Sequence, residues 1–111
     1  MIEVSRHQTI TIAADASTSS AINLRETGGG GGALLYPSAF TGTELSFVAS
    51  TALAGTYAPV LDVDNVAVTV GVTTSSWLAL PTEVLTHRYA KVVSNGTEAA
   101  ARTLQVVSKM S

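Results

Sequence analysis

The residues whose type and spacing could do chemistry are few, and the first is a run of five glycines, Gly28–Gly32. Glycine-rich loops cradle phosphates, but a phosphate loop needs Lys and Ser/Thr directly after it, and a dinucleotide fingerprint needs a helix there. Here Ala33-Leu34-Leu35 follows, without Lys, so the run reads as a loop between strands whose ordering costs much backbone entropy. Asp62-Val63-Asp64-Asn65 resembles a fragment of a calcium site. Calcium takes about six to eight oxygens, and the distal Glu of a calcium loop is missing. Asp and Asn also make Asx turns, which is the better reading. His7 and His87 are the only imidazoles. With 12 Ser in the chain, a serine near one of them means little without a nucleophile elbow or a placed carboxylate. Both read as surface residues, His87 in a polar loop beside Arg88. Asn95-Gly96-Thr97 matches a glycosylation acceptor, but without a secretion signal it reads as a turn, a tight hairpin by the Asn-Gly signal or a looser connection. Trp77, Tyr57, Tyr36 and Tyr89 could form a sugar-stacking platform. Core or interface anchoring is the plainer role in a chain with six aromatics, and Trp77-Leu78-Ala79-Leu80 looks like a buried strand. No catalytic or metal set emerges, so the expectation is a protein that is not an enzyme and uses no cofactor or metal.

These residues must be positioned by a small framework. At 111 residues the chain suits one domain, which buries roughly two-thirds of its unfolded surface. It has no Cys, which excludes disulfides, Cys-ligated zinc and a thiol nucleophile. Charged residues make up 13% of the chain, against about 25% in ordinary domains. The net charge of −2 offers no basic field to nucleic acid or anionic lipid, so neither is expected as a partner. Ser and Thr supply the polarity, with 27 residues between them. A surface poor in ions needs little desolvation on contact with another protein, which hints at an assembly component. The opening Met1–His7 lacks the apolar core of a signal peptide, and no apolar run approaches the roughly 18 residues of a membrane span. The expectation is a soluble protein made in a cytoplasm.

Two-residue alternation recurs along the chain. Gln8–Ala13 sets Ile10 and Ile12 on one face, and Ser20–Arg25 does so with Ile22 and Leu24. Ala33–Tyr36 is an apolar run ended by Pro37. Thr43–Ser50 points Leu45, Phe47 and Ala49 inward. Thr56–Val63 contains Pro59 and so reads as an edge strand or a bulge. Val66–Val72, Trp77–Leu80, Arg88–Ser94 and Arg102–Lys109 complete the set, with one helical turn at Pro81–Thr86. About eight or nine short strands spaced by turn signals imply an all-β, single-domain sandwich or barrel. Residues 1–7 read as an N-terminal arm and 8–111 as the β domain, with its glycine-rich loop at 28–32.

Several segments, taken in order, resemble a family of small tailed-bacteriophage virion proteins. Ile10–Ala14 and Ser20–Leu24 are similar to the family's Ile-rich strand and its Ser-Ala-Ile-x-Leu strand. Pro37-Ser38-Ala39-Phe40 matches its Pro-Ser-Ala-aromatic element, and Leu45-Ser46-Phe47-Val48-Ala49-Ser50 its Leu-Thr-Phe-x-x-Ser. Gly55-Thr56-Tyr57-Ala58-Pro59-Val60-Leu61-Asp62 resembles Gly-x-aromatic-x-Pro-Val-x-Asp. Tyr89–Gly96 resembles aromatic-x-Lys-hydrophobic-x-Ser-Gly, and Ala100–Leu104 leads the last strand. Thr51–Gly55 departs from the family's Asp-Gly, and the glycine run is longer than the pattern. The resemblance spans Gln8 to Lys109. It implies a jelly-roll-like antiparallel β-sandwich of about eight strands that decorates or cements a capsid. The implied partners are the major capsid protein and further copies of the chain, a trimer by preference, on the virion surface. A tail, baseplate or neck component, or a carbohydrate-binding sandwich, are the alternatives. The arm and the glycine loop lie outside the strand pattern, so Ile2, Val4, Arg6, His7, Gly28, Gly30 and Gly32 are the expected capsid or subunit contacts.

Overall fold

A computed structural model describes residues 4–24 and 31–110, with side chains described for 7–24 and 31–107. Nine strands and one helical turn follow in order: β1 Val4–Ile12, β2 Ile22–Asn23, β3 Gly32–Leu35, β4 Glu44–Ser50, β5 Ala58–Pro59, β6 Thr69–Gly71, β7 Trp77–Ala79, α1 Thr82–Leu85, β8 Tyr89–Ser94 and β9 Arg102–Met110. They form two antiparallel sheets. The first has the order β1-β9-β3-β7, and the second has β2-β8-β4-β5 with β6 also paired to β4. The chain changes sheet at every connection except those joining β4, β5 and β6. This is an all-β, two-layer antiparallel sandwich, one of the two architectures (sandwich or barrel) that alternation and turn spacing imply.

The alternating residues close the core between the layers. The first sheet contributes Ile10, Ile12, Leu34, Leu104 and Val106, all buried. Facing them are Ile22, Leu45, Phe47, Ala90 and Val92 of the second. A strand shows successive side chains to opposite faces, so these inward sets fix the register of each ladder. Val84 of α1 and Leu80 just before it are also buried, and Leu85 packs partly buried against the same core.

Four expectations need correcting. Val4, Arg6 and His7 are not in an arm: β1 begins at Val4 and pairs with β9 through nine residues, from Val4 opposite Met110 to Ile12 opposite Arg102. Val4–His7 lacks the apolar alternation of a half-buried strand, and backbone pairing with β9 places it. Met1–Glu3 lie outside the described residues. Gly32 is a strand residue paired with Ser108, not part of a loop.

Asn95-Gly96 makes no two-residue hairpin. Among the described residues, the non-glycine positions with positive φ are Asp15, Asn65 and Ser75, and the glycine is Gly31, whereas a type I′ turn needs positive φ at both central residues. β8 and β9 lie in different sheets, and the connection between them crosses the end of the sandwich. Finally, Thr56–Val63 and Val66–Val72 shrink to β5 and β6. Pro59 has no N–H to donate, and it sits at the sheet edge opposite Val48, as its chemistry requires.

Candidate interaction surfaces

The most elaborate polar cluster surrounds Glu98, a residue that no sequence signal singled out. Its side chain is completely buried. The backbone N–H of Thr41 donates to Oε1 at 2.8 Å and that of Gly42 to Oε2 at 2.9 Å. The Ser94 hydroxyl donates to Oε2 at 2.9 Å. Arg102 Nε donates to Oε1 at 2.9 Å, closing an ion pair, and Arg102 Nη2 reaches the Thr41 hydroxyl at 3.1 Å. On the main chain, Glu98 N–H donates to the Ala16 carbonyl and Asp15 N–H to the Glu98 carbonyl, each at 2.9 Å. Burial by itself would raise the Glu98 pKa, but the Thr41, Arg102, Gly42 and Ser94 hydrogen bonds outweigh it and hold the carboxyl below its ordinary value.

A catalytic carboxylate needs a free lone pair and access to substrate. Glu98 has neither, since four donors occupy its two oxygens. It works as a clamp joining the Asp15–Ala16 turn, the Thr41–Gly42 loop and the β8–β9 connection. Asn95 reinforces the clamp: its Oδ1 accepts from the N–H groups of Thr43 and Glu44, and its Nδ2 donates to the Thr43 hydroxyl. The Glu98–Arg102 spacing of four reads in sequence as a helical pair, but the chain here is a crossover without a helix.

Gly42 is locked into the clamp by space. A Cβ there would stand 2.0 Å from Ser94 Oγ and 3.0 Å from Asn95 Oδ1. Turning the Ser94 hydroxyl away would cost Glu98 one donor. The Gly42→Ala variant is therefore expected to lose about 2 kcal/mol, the cost of overpacking with one broken buried hydrogen bond. Urea unfolding of the two proteins measures it.

The expected contact residues fall into different places. Ile2, Gly28 and Gly30 lie outside the described residues. Val4 and Arg6 sit in β1, and their side chains lie outside the described ones. A Cβ on Gly32 would stand 3.2 Å from Leu80 Cδ1 and 3.3 Å from the Val107 carbonyl, so this glycine serves close packing. His7 is exposed and belongs to a surface that strand pairing assembles.

That surface is the outer face of the first sheet. Cross-strand registers place Thr9, Gln105, Leu35 and Trp77 in one row across all four strands. His7, Val107, Ala33 and Ala79 form the next row, and Thr11 with Thr103 a shorter third. None of these ten residues carries a formal charge at pH 7 with His neutral. The uncharged stretch ends at the Ser5–Lys109 pair. The outer face of the second sheet differs, because it holds Glu44 and Lys91. Trp77 is 57% exposed, which corrects the buried reading of its segment. It occupies an outward position of an edge strand, while Leu78 packs against the core and Leu80 is buried.

The aromatics do not line up on one face. Tyr36 is buried and donates its hydroxyl to the Gly71 carbonyl at 3.1 Å. Tyr57 lies under Lys91 Nζ at 4.3 Å from the ring centre, and Tyr89 is on β8 of the second sheet. Trp77 is alone on the first. A platform of all four is excluded, because Tyr36 is buried and Trp77 lies on the other sheet from Tyr57 and Tyr89, which are near each other.

A second exposed feature is the hairpin built on the isolated bridge between Leu61 and Ala67. Asp62 Oδ1 accepts from the N–H groups of Asp64 and Val66 at 2.8 and 3.1 Å, with Asn65 at φ 61°. This is the Asx turn expected for the segment. The turn holds Val63 out at 97% exposure. Between hairpin and α1 lies an open depression of about 440 Å³, lined by Leu61, Val63, Thr82, Glu83, Thr86 and His87. Among the described residues no helix is long and apolar enough to cross a membrane.

No family model and no curated protein matches the chain. Among solved structures, the SPBc2 prophage-derived protein YomS superposes with a TM-score of 0.58 at 13% identity, over 98% of this chain and 96% of that one. A protein of the Bacillus endospore appendages, described as a family of disulfide-linked pili, gives a TM-score of 0.41 at 16% identity, over 99% and 88%. The likeness to YomS is one of fold, and it runs nearly end to end on both chains.

Proposed function

We propose that this protein is a non-enzymatic structural component of a bacteriophage virion, of the kind that decorates a capsid and stabilises its shell. The observation that carries the reading is an uncharged patch on an outer sheet face of a small sandwich whose buried Glu98 carboxylate is spent on holding the fold together. Such a domain is equipped to be packed against other protein. The shared fold with a prophage-derived protein supports a phage setting, as does the chain-long motif order. The alternation of strands between the two sheets supports the jelly-roll reading. The partners in this reading are the major capsid protein and other copies of the chain. Repetition on a symmetric shell multiplies modest contacts.

Purified capsids mixed with the protein should retain it stoichiometrically through a density gradient, and its density should appear on the outer shell by electron microscopy. Density in a tail or baseplate would replace the decoration role with a tail role, and failure to bind any virion part would end the reading. Deleting Met1–His7 is a poor probe of contact, because it also removes four of the nine residue pairs of the β1–β9 ladder.

A further inference from the structure

We infer that the outer face of the first sheet is a self-association surface, on which a second copy of this chain packs sheet to sheet. The inference begins with charge. Six carboxylates and three basic groups have described side chains, at Asp15, Glu44, Asp62, Asp64, Glu83 and Glu98 and at Arg88, Lys91 and Arg102. None of them falls in the three outward rows of the first sheet; Arg102, at the end of β9, pairs with the inward-facing Ile12. In an isologous contact each residue near the two-fold axis meets its own copy, so any charge there faces its like. A foreign partner gains steering and specificity from opposite charges, whereas a second copy is best met by a face with none. The chain places an uncharged patch, bounded by the Ser5–Lys109 pair, on one side of the sandwich and keeps Glu44 and Lys91 on the other.

The composition of the face fits the same occupant. Trp77 and Leu35 adjoin across the β3–β7 ladder, one exposed and one half-buried, and tryptophan is the residue most enriched at binding hot spots. Thr9, Thr11, Thr103 and Gln105 surround them with neutral donors and acceptors. The two central strands are β9 and β3, so Gln105 lies near the middle of the patch.

Area sets the strength. Four strands at about 4.8 Å spacing and five residues at about 3.4 Å give roughly 300 Å² in projection. A standard stable interface takes about 800 Å² per partner. The pair is therefore weak, with a dissociation constant on the order of 0.1–1 mM, and it becomes populated where copies are crowded together. Sheet-to-sheet packing closes at two copies, so the unit is a dimer in place of the trimer that the family resemblance implies.

Sedimentation equilibrium of the full chain from about 0.05 to 2 mM covers the expected constant. The wild type should shift from monomer to dimer, with little change between about 50 and 500 mM salt because no ion pair is involved. Gln105→Lys sets like charges near the two-fold axis and should weaken the dimer at least tenfold. Thr69→Lys adds the same charge to the exposed edge of the second sheet and should leave it intact. Circular dichroism of both variants should overlay that of the wild type. A wild type that stays monomeric at the highest concentration overturns the inference, and so does equal weakening by the two lysines. A monomer whose capsid binding is lost in Gln105→Lys would assign the face to a foreign partner and also overturn it. The virion reading draws on the same face, but the outcomes separate: dimerisation without capsid binding would leave the inference standing and remove only that reading.

Discussion

Glu98→Ala is expected to lower stability by about 3–5 kcal/mol at neutral pH, the cost of breaking a buried pair and leaving its partners behind. The alanine leaves the Thr41 and Gly42 amides and the Ser94 hydroxyl without their acceptor, the latter two in a buried site. Arg102 keeps 15% of its side chain exposed, so water recovers part of its share. For a chain of this length the melting temperature should fall by about 15 °C or more.

The effect carries a pH signature. The folded-state pKa of Glu98 lies below its ordinary value of 4.5, so the unfolded chain takes up the proton first as pH falls. Its contribution to stability is complete above that ordinary value and is lost as pH drops through the folded pKa. The gap between wild type and Glu98→Ala should therefore be widest near neutral pH and narrow in acid. Thermal melts in steps from pH 7 to about 3 would show it. A gap that stayed constant, or widened in acid, would mean that the carboxylate is not ionised in the clamp.

Phe47→Ala should cost a similar amount, about 3–5 kcal/mol, by another mechanism and with another signature. Phe47 is 1% exposed in the middle of β4, paired with Val92 and accepting the Val60 N–H at its carbonyl at 2.9 Å. Truncation removes apolar burial and leaves a cavity between the sheets. No titrating group is involved, so its deficit should hold steady over the pH range in which that of Glu98→Ala shrinks. A Phe47→Ala deficit well under 1 kcal/mol in urea unfolding would mean that the two layers collapse onto the vacancy. Run together, the two variants separate apolar from polar contributions at opposite parts of one sandwich.

Much of the framework was legible because strand alternation is local. Ile10 and Ile12, Leu45 with Phe47 and Ala49, and Leu104 with Val106 show in the linear order which face each strand buries, and the structure buries them. Pro59 marked an edge because a missing N–H is a property of one residue, and Asp62–Asn65 marked a turn because an Asx hydrogen bond spans two to four residues. The failures share a cause too. Val4–His7 has no alternation to read and becomes a strand through β9, about a hundred residues away. Asn95-Gly96 carries the local signature of a hairpin, yet β8 and β9 enter different layers, and Asn95 spends its amide on Thr43 and Glu44. Trp77 sits in an apolar stretch, but an edge strand exposes every second residue.

By itself, then, the sequence determined an all-β domain of short strands, the inward residues of most of them, the Asx turn, and a surface poor in charge. These follow from backbone and side-chain preferences that act over a few residues. Only the tertiary structure decided what the polar residues do. Glu98 meets Thr41 and Gly42 across more than fifty positions, and the row Thr9, Gln105, Leu35 and Trp77 exists only once four distant strands are in register. A clamp and a face are products of strand pairing, and pairing depends on long-range contacts that no short stretch of sequence contains.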